Sequence, residues 1–109
     1  LPGEVSIEEF KKLDIRVCRV VSAERIPGRS RILKAVVDLG GEQRTVVVGG
    51  ADIYGPDYFI GKLFIILANL QSREIAGVVS KGMLLAADVE GKPVWLTVDG
   101  SAPPGSKVT

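Results

Sequence analysis

The chain contains no histidine, only one cysteine, and aromatic residues at 6%. Each scarcity removes a class of function. Without histidine there is no His-based triad, no imidazole general base and no His-ligated metal site. Cys18, being alone, forms neither an internal disulfide nor a Cys-x-x-Cys metal or redox pair. It lies in Ile15-Arg16-Val17-Cys18-Arg19-Val20, an apolar strand pattern, and reads as a small packed hydrophobe rather than a nucleophile. A chain with no disulfide framework fits a reducing, cytoplasmic compartment. The longest apolar run, Leu63 to Ala68, is far short of the ~20 residues a membrane span needs. No basic stretch followed by an apolar segment marks a signal peptide. The first residue is Leu1, so the sequence reads as trimmed or as part of something longer.

What is present is 109 residues, 46% hydrophobic and 25% charged. Those are the proportions of one soluble globular domain, able to bury about two-thirds of the surface its unfolded chain exposes. They exclude disorder for the body of the chain. The net charge of +1 is unevenly spread. Residues 1–10 carry −3, residues 11–44 carry +5, and residues 45–109 carry −1. Arg25, Arg29, Arg31 and Lys34 form a basic cluster with no acid between Ile26 and Val37. Such a cluster is either a solvated loop or a phosphate-binding patch, since Lys and Arg gain by releasing counterions from nucleic acid. With a pI near 8.1, nucleic-acid binding would have to be local.

Ser6 and Glu9 have the spacing of a capping box, with Val5 and Phe10 at the positions of a hydrophobic staple. This predicts a short helix ending near Lys12. Asp14 to Glu24 is β-rich, but its apolar phase slips between Val17 and Val20, the sign of a bulge or of a strand covered on both sides. Leu33 to Leu39 alternates cleanly, and Gly40-Gly41 turns the chain into a second strand over Gln43–Val48. Ala51 to Ile60 reads as a connection with one or two helical turns, closed by Gly61. Lys62–Leu70 is apolar almost throughout, as in a strand buried on both faces. Gln71 to Ser80 reads as a loop or weak strand. Met83–Val89 and Val94–Val98 form the last strands around Glu90-Gly91, and residues 101–109 form an extended tail. Five or six short strands with one helical insertion suit an all-β, five-stranded Greek-key barrel of the oligonucleotide/oligosaccharide-binding (OB) kind. It would carry a short N-terminal helix and a helical connection between strands 3 and 4. A β-sandwich, the competitor, needs about seven strands. The whole of 1–109 is then one domain: residues 1–12 the helix, 13–99 the barrel and 100–109 an extension.

The carboxylates are scattered beside turns, as Asp38, Glu42, Glu90 and Asp99 are. Gly49-Gly50-Ala51 and Ser80-Lys81-Gly82 lack the strand–GxxxxGK[ST]–helix context of a phosphate-binding loop. Nothing here assembles an acid–base pair or an activated nucleophile, so a non-enzymatic role is expected, with no cofactor and no metal.

The order of short motifs resembles one family. Asp14-Ile15-Arg16-Val17, Val46-Val47-Val48-Gly49-Gly50-Ala51, Ala68-Asn69-Leu70, Ser80 to Ala87 and Pro103-Pro104-Gly105 are similar to the tRNA-binding domain. That domain occurs at the carboxy end of methionyl-tRNA synthetases, in free-standing tRNA-binding proteins and in the endothelial monocyte-activating polypeptide group. The likeness runs from about Ser6 to Thr109. Asn-Leu followed by Ser-x-Gly-Met-Leu-Leu-Ala is its most specific part. The resemblance implies an OB barrel that binds folded tRNA by shape, commonly as a homodimer built from the regions flanking the barrel. A synthetase catalytic domain, in the same or another chain, is the further partner it implies.

Carried over by position, the candidate tRNA contacts are Asn69, Arg73, Ser80 and Met83, with Arg29, Arg31 and Lys34 meeting phosphates. Arg73 would pair with a phosphate, Asn69 and Ser80 would reach phosphate, sugar or a 2′-hydroxyl, and Met83 would offer an apolar surface. Each has a structural rival: Asn69 as a turn closer, Ser80 and Met83 as packing at a strand start, Arg73 as a solvated charge. On strands 2 and 3 the outward positions are Lys34, Val36, Thr45 and Val47 rather than aromatics, which disfavours base-by-base stacking. Trp95 reads as core or interface. A secretion-type chaperone of the same fold, binding unfolded protein, is the alternative from another class. That branch generally lacks the stretch found here at Ser80 to Ala86.

Overall fold

Alternation of apolar and polar residues puts one face of the first hairpin indoors. Strand β2 (Ile32–Asp38) buries Leu33, Ala35 and Val37, and β3 (Gln43–Gly49) buries Val46 and Val48. The two pair antiparallel from Ile32↔Gly49 to Asp38↔Gln43, so Lys34 stands beside Val47 and Val36 beside Thr45 on the outer face. In this computed structural model, which describes residues 3–109, the hairpin belongs to a nearly closed antiparallel barrel. Its strand order is β3-β2-β1-β4-β7, with β1 at Ile15–Arg25, β4 at Leu63–Leu67 and β7 at Met83–Leu84. The helical connection falls between β3 and β4, as α2 (Pro56–Phe59). The expected five-stranded OB-type barrel is therefore the one observed.

Strand β1 spans two neighbours. Its first half pairs with β4, from Ile15↔Leu67 to Arg19↔Leu63, and its second half pairs with β2. Both readings of its broken pattern hold, at different places. Val17 and Cys18, on opposite faces, are both buried, so the strand is covered on both sides there. The register slip falls later than Val17–Val20, between Val20 and Ser22, and leaves Val21 exposed. The core gathers Cys18, Leu33, Val37, Phe59 and Ile66. Burial pushes the Cys18 thiol up to about 12, which removes it as a nucleophile near neutral pH.

The strand expected over Lys62–Leu70 stops at Leu67. Residues 68–70 turn instead, because Ala68 and Asn69 bond back to the segment at 12–14. The stretch from Gln71 to Ser80 is more ordered than expected: β5 (Arg73–Ile75) and β6 (Val78–Ser80) form a hairpin around Ala76-Gly77. Ala76 sits at φ +52°, a left-handed position that alanine rarely takes. The last apolar segments split at Leu85 into β7 and a separate hairpin of β8 (Ala86–Val89) and β9 (Lys92–Trp95).

Helix α1 (Ile7–Phe10) carries the capping box, with the Glu9 amide donating to Ser6 Oγ at 3.1 Å. Val5 and Ile7 remain exposed and only Phe10 is half-buried, because a single helical turn has nothing lying over it. Leu1 and Pro2, part of the segment expected at 1–12, lie outside the described residues. The tail is not free. Val17 N donates to Ser106 O at 2.9 Å and Val108 N donates to Ile15 O at 2.8 Å, so residues 105–108 run antiparallel to the start of β1. Gly105 and Gly40 cross there, each so close to the other's backbone that a Cβ on either would collide with a carbonyl oxygen.

Asp14 fastens this arrangement electrostatically. Its carboxylate accepts from Arg16 Nε at 2.8 Å and lies 3.7 Å from Lys107 Nζ on the tail. The Arg16 hydrogen bond, with Lys107 adding to it, holds the Asp14 carboxyl below its ordinary value of 3.8. A carboxyl depressed in the folded state adds stability above its unfolded value, and that share is lost as pH falls through the folded one. Asp14→Asn is therefore expected to be less stable than the parent at neutral pH. The gap should narrow below pH 3.8 and then close, as measured by urea unfolding across an acid series.

Candidate nucleic-acid interface

The outer face of β2 and β3 is bounded by the β5–β6 hairpin, and the seam between them is where four of the candidates, Lys34, Arg73, Ser80 and Met83, collect, while Asn69, Arg29 and Arg31 lie outside it. Lys81 N donates to Thr45 O at 2.9 Å, and Val47 N donates to Ser80 Oγ at 2.9 Å. The Ser80 hydroxyl in turn donates to Gly82 O at 3.2 Å. A side-chain oxygen thus stands where a sheet would present a carbonyl, and it closes the barrel. Gly82, at φ +139°, lies so near Ile66 and the Leu67 carbonyl that a side chain there would have to displace them.

Two clefts lie along this seam. One, of about 160 Å³, brings Arg73, Ser80 and Met83 together with Val47, Leu70 and Gln71. The other, of about 430 Å³, is lined by Lys34, Gln43, Arg44, Thr45 and Lys81 with the turn of the hairpin. Neither lining includes a carboxylate or an aromatic ring. Lys34 lies 3.6 Å from Glu24, and Arg44 lies 3.3 Å from Glu42. Arg73 and Lys81 make no ion pair among the described residues. Unpaired and exposed, they are the cleft cations left free for an anion.

The sequence candidates divide by how their side chains are already employed. Arg73 is exposed and Met83 is 44% exposed, so both are open to a ligand. Ser80 is 6% exposed and its hydroxyl is engaged on both sides by the protein. Asn69 accepts from Asp14 N at 2.8 Å through Oδ1 and donates to Lys12 O at 2.7 Å through Nδ2. Lys34 lines the larger cleft. Arg29 and Arg31 are exposed in the β1–β2 loop and line neither cleft. Arg44 and Lys81 are cleft cations that the sequence reading did not select. The signal for them was faint: Arg44 lies on a strand beside Glu42, and Lys81 stands alone inside a motif of small and apolar residues.

The aromatics are elsewhere. Tyr54, Tyr58, Phe59, Phe64 and Trp95 pack together at centroid distances of 4.6 to 6.2 Å around α2, β4 and β9. Trp95 is a packing residue, as expected. The candidate surface is thus basic and aliphatic, with no ring in either cleft lining on which a base could stack. Elsewhere, exposed Ile7 and Leu13 and half-buried Phe10 and Val108, with Lys11 and Lys107, line a groove of about 390 Å³ between α1 and the tail.

Comparisons with known proteins bear on the family and the fold. A family profile described as "Putative tRNA binding domain" matches residues 15–107. The methionine–tRNA ligase of Archaeoglobus fulgidus is 46% identical over 105 residues, which are 96% of this chain and 16% of the ligase. That of Thermotoga maritima is 41% identical over 105 residues, 96% of this chain and 17% of the ligase. The chain therefore spans about one-sixth of the length of these relatives. Among solved structures, a MetRS related protein from Pyrococcus horikoshii superposes with a TM-score of 0.93 at 36% identity, covering 99% of this chain and all of that one. The chaperone CsaA of Bacillus anthracis shares the fold, with a TM-score of 0.85 at 23% identity over 98% of this chain and all of that one.

The closing hydroxyl has a measurable worth. Ser80→Ala would leave the Val47 amide without its acceptor inside the barrel wall. That amide is only partly buried, so the loss should lie near the lower end of the about 1–3 kcal/mol an unsatisfied buried donor costs, and the urea midpoint should fall with an unchanged slope.

Proposed function

The chain belongs to the tRNA-binding domain family, and we propose that it binds folded tRNA without catalysing a reaction on it. The RNA backbone lies across the outer face of β2 and β3, with Arg73, Lys81 and Lys34 against phosphates. Arg73 offers a planar fork that suits two phosphate oxygens at once. Met83 lends an adaptable apolar contact to a ribose or an exposed base edge. Arg29 and Arg31 reach further phosphates from the β1–β2 loop, at one end of the same face. Asn69 and Ser80 hold the frame on which these side chains stand. The observation that carries this reading is the meeting of Arg73 and Met83 in one cleft beside a second, basic one, with no carboxylate in either lining. Shape and phosphate contacts account for recognition where no aromatic platform exists.

In its biological setting the domain would serve methionyl-tRNA synthetase as an accessory, joined to it or acting beside it in the cytoplasm. It would raise the local concentration of tRNA rather than take part in aminoacyl transfer. The groove between α1 and the tail would receive the same groove of a second copy, giving a homodimer with two RNA faces. Its lining of Ile7, Phe10, Leu13 and Val108, with Lys11 and Lys107 beside them, lies on the segments flanking the barrel, and those four apolar side chains are the reason for assigning it to assembly.

Binding of unfractionated tRNA and of a single-stranded RNA of equal length, titrated at two salt concentrations, tests the reading. Arg73→Ala should weaken tRNA binding by about tenfold or more and reduce the slope of log affinity against log salt by ~1, with melting unchanged. An unchanged affinity and slope would overturn the assignment of Arg73. Indifference of the parent protein to both RNAs would turn attention to unfolded protein clients. Removal of residues 1–12 should convert dimers to monomers in sedimentation; dimers that persist would place the assembly surface elsewhere.

A further inference from the structure

We propose that Asn69 is a positioning residue, one that touches no RNA and instead couples the terminal elements to the RNA-binding hairpin. This rests on the reading of the β2–β3 face as the RNA surface. The argument begins with what a side-chain amide can do: its oxygen accepts and its nitrogen donates. In Asn69 both are committed to the backbone of the segment that leads into β1. Oδ1 takes the amide of Asp14 at 2.8 Å, and Nδ2 gives to the carbonyl of Lys12 at 2.7 Å. These two groups bracket the exit from α1, the residues that join the terminal groove to β1.

The junction is wider than one side chain. Ala68 N donates to Asp14 O at 2.7 Å, and Arg44, a cation of the larger cleft, donates to Ala68 O. The Asp14 carboxylate meanwhile holds Arg16 and, on the tail, Lys107. Both terminal elements therefore converge on Asp14, and Asp14 is tied to residues 68–69. Leu70 and Gln71, next in the chain, line the cleft of Arg73 and Met83. A displacement of α1 or the tail would thus reach Arg73 through a chain of four residues, and Arg44 through one carbonyl. Coupling of this kind is reciprocal. Occupancy of the terminal groove tightens tRNA binding, and tRNA in turn favours assembly at the groove.

A double-mutant cycle separates positioning from contact. tRNA affinity is measured for the parent chain, Asn69→Ala, the chain lacking residues 1–12, and the combination. None of the described residues 3–12 belongs to the core, so the truncated chain retains the barrel. Asn69→Ala should weaken binding by about fivefold in the full chain and by less than ~2-fold after truncation, where the Lys12 carbonyl is gone. Losses that simply multiply would show direct contact with RNA and overturn the proposal, as would no loss in the full chain.

A second readout is spectroscopic. Removing residues 1–12 should shift the amide resonances of Leu70 to Ser80 in the parent background and leave them in place when Asn69 is already alanine. Shifts of equal size in both backgrounds would argue against coupling through this amide. Should Asn69→Ala unfold, Asn69→Asp keeps an acceptor for the Asp14 amide but loses the donor to Lys12 and adds a negative charge, so it carries the cycle through the amide shifts, which a uniform charge penalty on tRNA affinity does not mimic. Arg73→Ala, run alongside, distinguishes the failures. If it binds tRNA like the parent, the RNA surface itself is misassigned; if it weakens binding while the cycle is multiplicative, only the role of Asn69 is wrong.

Discussion

A barrel of five strands has one seam, and here a hydroxyl joins one backbone hydrogen bond, from Lys81 N to Thr45 O, in sealing it. Strand β3 presents its outer edge to residues 80–82, a stretch where the chain is turning from β6 into β7 and supplies few backbone partners in register. Ser80 Oγ fills the gap by accepting from the Val47 amide and donating to the Gly82 carbonyl. An open edge would leave amides unsatisfied and offer itself to other strands. The same closure fixes the distance between β3 and the β5–β6 hairpin, and both clefts are made by that distance. Gly82 completes the seam because only a residue without a side chain passes Ile66 and the Leu67 carbonyl at that spacing.

Much of the fold could be read from periodicity alone, because β2 and β3 alternate without a break and the Ser6 to Glu9 capping box is a local device. What escaped was long-range. The end of β4 at Leu67 could not be seen, since Leu70 is as apolar as Leu67. The turn there depends on a segment more than fifty residues earlier in the chain, joined through Asn69 to Asp14. The β5–β6 hairpin escaped for a different reason. Its turn, Ala76-Gly77, puts alanine at a positive φ where an asparagine would have announced it.

At the site, charge was easier to read than geometry. The run from Arg25 to Lys34 was conspicuous in the sequence, yet of its members only Lys34 lines a cleft, because β2 carries it onto the outer face while Arg29 and Arg31 stay in the loop. Arg44 and Lys81 were inconspicuous and do line it. Residue type alone likewise left open whether Asn69 and Ser80 act as donors to a ligand or to the protein. Their hydrogen bonds are to the protein, while Arg73 and Met83 remain uncommitted. The aromatic residues and the cleft cations have sorted onto separate parts of the barrel. Rings fasten α2 and β9 over the core, leaving the other surface free of large planar groups.

The tail against β1 has a consequence for how such a domain can be carried by larger molecules. Residues 105–108 end beside α1, so both ends of the described chain emerge at one pole. Every residue lining the two clefts falls between positions 34 and 83, a single uninterrupted stretch. Cutting, lengthening or joining the chain at that pole leaves the stretch contiguous. The domain is therefore portable, in the sense that it can be grafted before, after or between other units without rewiring its surface. What a graft changes is the strain it places on the Asp14–Asn69 junction, and so the grip of the surface, not the kind of molecule it grips.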